Sequence, residues 1–283
     1  MAGTRGVVVA GLLGLWLLTL PTEGFGGAWT LRPGAVYLEL FSQGFWADAA
    51  FDAAGRRRPT PNNGSFYEIR EELKAEVGLL TPRLNLLFAL PVETAKFQDR
   101  NVSLRTTGVE EIRLGVKYRF TPREPTPVVI SAQLTGTLPA CDADAQPPLA
   151  DCQFASDMRL IVSKGLWPHP DTGLSRVFVS LEGGYRYRAG PPADELPYYL
   201  EAGVNVWKSV WGKVTLDGLE SRPFGGGMEE DFHKWTAALL LSKDPSQRTQ
   251  RHIPGLELGY GEVFAGKNTG AGRVLFLKLF YQF

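Results

Sequence analysis

From residue 34 to Phe283 the chain alternates. Segments of about ten residues put apolar side chains at every second position and polar or charged ones between. Twelve such segments can be read, near 34–50, 66–79, 83–94, 108–120, 128–138, 154–165, 175–188, 197–207, 213–221, 232–242, 255–264 and 273–283. In 108–120 (GVEEIRLGVKYRF), Ile112, Leu114, Val116, Tyr118 and Phe120 share one face, opposite Glu111, Arg113, Lys117 and Arg119. A period of two sends the sets to opposite faces of a strand. Segment 66–79 sets Tyr67, Ile69, Leu73, Ala75, Val77 and Leu79 against Glu68, Arg70, Glu72, Lys74 and Glu76. Glu71 breaks the apolar set, and the count of residues up from Thr81 places it near the outer edge of an apolar band about 25 Å tall.

A soluble sheet also has one apolar face, so a single segment does not decide the environment. A dozen such segments in succession, separated by turns, predict an all-β fold: a transmembrane antiparallel up-and-down β-barrel. Connections after odd segments are rich in Arg, Asn, Asp and Gly (DAAGRRRPTPNNGS, KFQDRNVSLRTTG). Those after even segments open on Pro-containing turns (LTPR, FTPREPTP). Long loops on one side and short turns on the other place both termini on the periplasmic side. The stretch 243–254 (KDPSQRTQRHIP) is long for a turn, so counts of ten and fourteen strands stay open beside twelve.

The first residues add a destination. A basic start, the apolar run Gly6 to Leu20 and small residues after it have the layout of a secretory signal peptide, here residues 1–27, leaving 28–283 as one barrel domain. The run is short of the roughly 20 residues of a membrane helix, and no later run approaches that length. Only Trp29 to Pro33 separate the signal from the first strand, too few for the lumen-filling N-terminal hatch of fatty-acid-type channels.

Composition adds little. Thirty basic and thirty acidic side chains give no field to attract nucleic acid. Cys141 and Cys152 bracket CDADAQPPLADC; in an oxidising compartment they form a disulfide in an external loop. Asp142, Asp144 and Asp151 lie between or beside them, but the stretch lacks the Gly and closing Glu of a calcium loop, so no metal and no cofactor is assigned. The Asn63 and Asn101 sequons read as loop residues. Three histidines, His169, His233 and His252, have no G-x-S-x-G elbow to serve. His233, beside Glu229, Glu230 and Asp231, reads as an interfacial residue at a strand start, and the chain is expected to be no enzyme.

The polar face then carries the candidate chemistry. Glu68, Arg70, Glu72, Lys74, Glu111, Arg113, Lys117, Arg119, Arg159, Glu182, Arg186, Arg188, Glu201, Lys213 and Asp217 are predicted to line the lumen. Two readings follow: a polar core whose ions neutralise one another, or a hydrated path whose charges select solutes. Basic residues gather in VEEIRLGVKYRF and GGYRYRAG (183–190), which favours anionic solutes unless Glu111, Glu182 and Glu201 cancel them.

The end of the chain, RVLFLKLFYQF, resembles the C-terminal assembly signature of bacterial outer-membrane proteins, with Tyr281 and Phe283 as its aromatic positions. The stretches GAWTLRPG, FDAAGRR and GVEEIRLGVKYRF resemble the outer-membrane barrels grouped as phenol-degradation meta-pathway or Xag-type proteins. That resemblance implies a channel for small polar or anionic organic solutes or, as the alternative, a non-catalytic component of surface-glycan export; a lipid-modifying barrel enzyme stands third. Partners expected of such a protein are outer-membrane lipid and lipopolysaccharide, the barrel-assembly machinery, and a small solute or glycan.

Overall fold

The computed structural model describes residues 27–122, 128–149, 152–168, 175–190, 193–222, 229–242 and 253–283. Residues 1–26, Arg123, Asp151, His169, His252 and most of the stretch 243–254 lie outside them. The strands are β1 (Val36–Phe51), β2 (Arg57–Pro59), β3 (Ser65–Gly78), β4 (Leu84–Gln98), β5 (Ser103–Val109), β6 (Glu111–Arg119), β7 (Val128–Pro139), β8 (Ala155–Pro168), β9 (Ser175–Arg188), β10 (Asp194–Trp207), β11 (Val210–Arg222), β12 (Asp231–Leu241), β13 (Ile253–Lys267) and β14 (Thr269–Gln282). Each pairs antiparallel with its neighbour, and β14 returns to β1 from Tyr37↔Gln282 to Phe51↔Thr269, closing the barrel. The strip β2 only extends the loop end of β1. The pieces β5 and β6 share one edge of β4 and form one stave interrupted at Glu110. The wall therefore has twelve staves.

The fourth stave starts earlier than its alternation suggests. Residues 103–107, read from sequence as part of a loop, are paired with β4, and the reversal tightens to Asp99–Val102, where the Asp99 carboxylate accepts the Asn101 and Val102 amides at 2.7 Å. A 15-residue strand such as β4, tilted by about 40°, stands roughly 38 Å tall, well above an apolar band of about 25 Å. Beyond the band no lipid demands apolar side chains, so the alternation fades while the ladder continues.

Outside, the wall is apolar: Leu40, Leu73, Leu114, Leu134, Leu160, Leu181, Val214, Leu258 and Leu277 are among many exposed large side chains, a surface that water does not tolerate. Tyr118 with Phe120, and Tyr281 with Phe283, make ring contacts at 5.4 and 6.0 Å at the end bearing the chain termini, where an aromatic girdle belongs. Glu71 points outward and accepts a 2.7 Å hydrogen bond from the Ser42 hydroxyl. Ile69 and Tyr67 lie one and two rows beyond it, both exposed.

The terminal end is not open. Residues 27–33 run inside it, with Ala28, Thr30 and Leu31 buried. Ser131 donates to the Ala28 carbonyl, the Ala28 amide donates to Ser163 Oγ at 3.0 Å, and Lys117 Nζ donates to the Gly27 carbonyl at 3.3 Å. Gly34, at φ 76°, turns this segment outward into β1. Gly78 lets it pass, since a Cβ there would stand 2.0 Å from the Arg32 carbonyl oxygen. Residues 27–33, read from sequence only as a short lead-in to the first strand, thus lie within the barrel at this end. At the loop end Cys141 and Cys152 are joined, and Leu149 of the same loop is buried among the interior phenylalanines.

Candidate solute path through the barrel

Register places the charged residues predicted for the lumen on the inner face. Glu111 and Glu201 are partly buried there and the others are buried. They assemble into three groups. On β3 and β6, Arg70 Nη1 meets Glu110 at 2.6 Å and Glu72 lies 3.8 Å from its Nε, while Arg113 also holds Glu72. Lys74 contacts Glu39 at 3.2 Å, and Lys117 contacts Glu76 at 2.9 Å. On β8 to β10, Asp157 sits between Arg159 at 2.7 Å and Arg186 at 3.1 Å; Glu195 is shared by Arg186 and Arg188; and Glu182 lies 3.7 Å from Arg159. On β10 to β13, Lys213 bridges Glu201 at 2.8 Å and Glu257 at 3.0 Å, and Lys234 contacts Asp217 at 3.3 Å. At the terminal end Arg119 donates to the Pro122 carbonyl at 2.6 Å.

Several of these acids were not singled out from sequence. Glu39, Glu93, Glu110, Asp157, Glu195 and Glu257 share the inner face. Glu39 was hidden because β1 (VYLELFSQGFWADAAF) is apolar on both faces, and Glu110 because it occupies the break between β5 and β6.

The other missed feature is aromatic. Phe41, Phe45, Phe66, Phe97, Phe232 and Phe276 point inward and pack together with Val263 and Val274. Phe41 lies 6.0 Å from Phe276 and Phe45 the same from Phe66. The Lys74 and Lys278 ammoniums stand over the Phe41 ring at 5.1 and 5.5 Å, stitching this wall to the ionic one through cation–π contacts. The signal lay in β1, where Phe41 and Phe45 share the parity of Glu39 and Gln43. The interior therefore carries, beside the ionic groups, an apolar cluster drawn chiefly from β1, β3, β4, β12, β13 and β14. Near the loop end, where the β1–β14 pairing skips from Ala47 to Ala50, a cavity of about 340 Å³ is lined by inward Phe66 and Val263 and outward Trp46 and Tyr67.

His233 takes no part in the lumen. It faces outward, its Nδ1 2.5 Å from the Tyr198 hydroxyl and its ring 6.2 Å from Phe264. In the disulfide loop, Asp142 accepts the Asp144 amide at 3.0 Å, a turn contact. Among the described residues no group of three acids, histidines or cysteines is placed to hold a metal ion.

No protein-family model matches the chain, and no curated protein sequence matches it. Among solved structures, the COG4313 outer membrane channel from Pseudomonas putida F1 superposes at a TM-score of 0.73 with 16% identity, covering 92% of this chain and 100% of that one. The translocator domain of autotransporter NalP from Neisseria meningitidis gives 0.45 at 8% identity, with 88% of each chain covered. The CymD monoaromatic hydrocarbon channel gives 0.44 at 9% identity, with 89% and 88% covered. At 16% identity the likeness to the first of these is one of fold.

Proposed function

We propose that the protein is a bacterial outer-membrane channel through which small polar organic solutes diffuse, and that it is non-catalytic. The observation that carries this reading is an interior rich in charged side chains enclosed by an apolar exterior, with the chain's own residues 27–33 packed inside one end. Its likeness in fold to an outer membrane channel supports the same reading. In this proposal residues 1–27 are removed on export and both termini face the periplasm. The exterior contacts outer-membrane lipid and lipopolysaccharide, and the strand ending at Tyr281 and Phe283 is recognised by the barrel-assembly machinery. Arg113, Arg186 and Arg188, which led the sequence to favour anionic solutes, are already held by Glu72, Asp157 and Glu195. The proposed class is therefore small polar molecules without that preference.

One observation favours a second reading. Charges across the lumen are densely paired, as in a neutralised core, which suits a non-conducting component of surface-glycan export. Planar-bilayer recording separates the two. A channel gives discrete conductance steps, enlarged when residues 27–33 are deleted; correctly folded protein that stays silent with and without that segment sinks the channel reading. Trypsin applied to intact cells tests the orientation: cutting at Arg56 to Arg58 or at Arg100 is expected, and cutting at Arg123 alone overturns it.

A further inference from the structure

In the loop-side half of β3 to β6 the interior carries more acid than base. Glu68, Glu72, Glu93 and Glu110 are buried around two arginines, Arg70 and Arg113. Both arginines are committed, Arg70 to Glu110 and Glu72, and Arg113 to Glu72. The neighbouring ammoniums are also engaged, Lys74 chiefly with Glu39 and Lys117 with Glu76. Glu93 stands apart: it is 2% exposed, and its Oε2 is buried without a hydrogen-bond partner.

The rows of the sheet show what surrounds it. Glu93 lies between Arg70 and Gly108, so one flank carries no side chain. The next inward row toward the loop end reads Phe45, Glu68, Ala95, and the row beyond it Ala47, Phe66, Phe97. A group of carboxylates therefore meets a wall of phenylalanine faces beside small residues. Arg70 opposite Glu93 is shared with Glu110 and Glu72, and a buried carboxylate oxygen with no hydrogen-bond donor is costly; a cation or a proton relieves it. The described acids are not placed for a metal ion. An ammonium group carried on an apolar body satisfies both halves of the site, by charge-assisted hydrogen bonds to the acids and by contact with the rings.

We infer that Glu93, with Glu68 and Glu110, forms a binding station for small organic cations, whose apolar part rests on Phe45, Phe66 and Phe97. The inference rests on the channel reading for its role in passage, and the station gives the path a preference for cations over anions. The probes are benzylammonium and, as the anion of matching shape, benzoate. Calorimetry on protein folded in detergent micelles should show benzylammonium binding and no benzoate binding. Glu93→Gln, checked for folding by its heat-dependent migration on gels, should weaken benzylammonium by about tenfold or more. In bilayers the unaltered protein should be cation-selective and Glu93→Gln less so. Absence of benzylammonium binding, equal affinity in the folded Glu93→Gln variant, or equal binding of benzoate overturns the station, because Glu93 then simply holds a proton. Binding that depends on Glu93 in a protein that never conducts leaves the station standing and removes the channel; conductance with no such binding does the reverse.

Discussion

Two of the three ionic groups in the lumen differ in their balance of acid and base. On β8 to β10 three acids, Asp157, Glu182 and Glu195, face three arginines, Arg159, Arg186 and Arg188, and every arginine touches a carboxylate. On β3 to β6 four buried acids surround two arginines, and Glu93 Oε2 finds no hydrogen-bond donor. Matched charges inside a barrel act as a rigid brace, since removing any member strands another in a place water cannot reach. Unmatched charge stabilises nothing by itself and keeps its field for whatever enters. The contrast assigns structure to one side of the lumen and recognition to the other.

The largest effect should come from breaking the matched side. Asp157→Ala leaves Arg159 and Arg186 buried against each other with their shared acid gone, a loss of about 3–5 kcal/mol for a disrupted buried pair. Urea unfolding in lipid vesicles should show that loss for Asp157→Ala and almost none for Glu93→Gln. Equal costs for the two would erase the distinction between brace and station.

Lys117 tests the boundary between structure and passage, because it serves both. It holds Glu76 at 2.9 Å and the Gly27 carbonyl at 3.3 Å, tying the N-terminal segment to the wall. Lys117→Met fills the same space without the charge. Asn85 still donates to Glu76, which softens the penalty. A loss of roughly 1.5–3 kcal/mol is expected, together with a larger and noisier single-channel conductance as residues 27–33 loosen. Unchanged conductance in the folded variant would mean that Ser131 and Ser163 alone hold the segment.

How much of this was legible beforehand follows from what each part of the chain must satisfy. Lipid forces a strict alternation, so the staves could be found from their apolar sets, and segment 175–188 coincides with β9. The charged set opposite was equally plain, which is why residues such as Arg113, Lys117, Arg186 and Lys213 could be placed inside. Partners could not be read, because Arg113 finds Glu72 across 41 residues and Lys213 finds Glu257 across 44, contacts fixed by curvature and register. The excess acid was invisible for the same reason: it emerges only once Glu110, at a break in the alternation, is seen beside Arg70. The inward phenylalanines were masked by a strand that is apolar on both faces, and the inward course of residues 27–33 by a segment with no period.

The smallest effect concerns a carboxylate held in a third way, by backbone amides in the open. Asp52 opens the loop after β1, where its Oδ1 accepts the Arg56 and Ala54 amides, each at 2.9 Å, and Arg56 Nε stands 3.1 Å from Oδ2. The Arg56 amide, then that of Ala54 and the Arg56 guanidinium, hold the acid below its ordinary value of 3.8. A lowered value means that the carboxylate's contribution to loop order is complete above the ordinary aspartate range and disappears as pH falls through the lowered one. Exposure screens this contribution, so it is local and leaves the unfolding of the barrel untouched. Amide exchange at Ala54 and Arg56, corrected for its intrinsic pH dependence, should lose protection only below that range, and Asp52→Asn should reduce protection at every pH. If Asp52→Asn instead lowered the stability of the whole barrel as Asp157→Ala does, the loop would be part of the brace, and the division between a matched interior and an independent rim would fail.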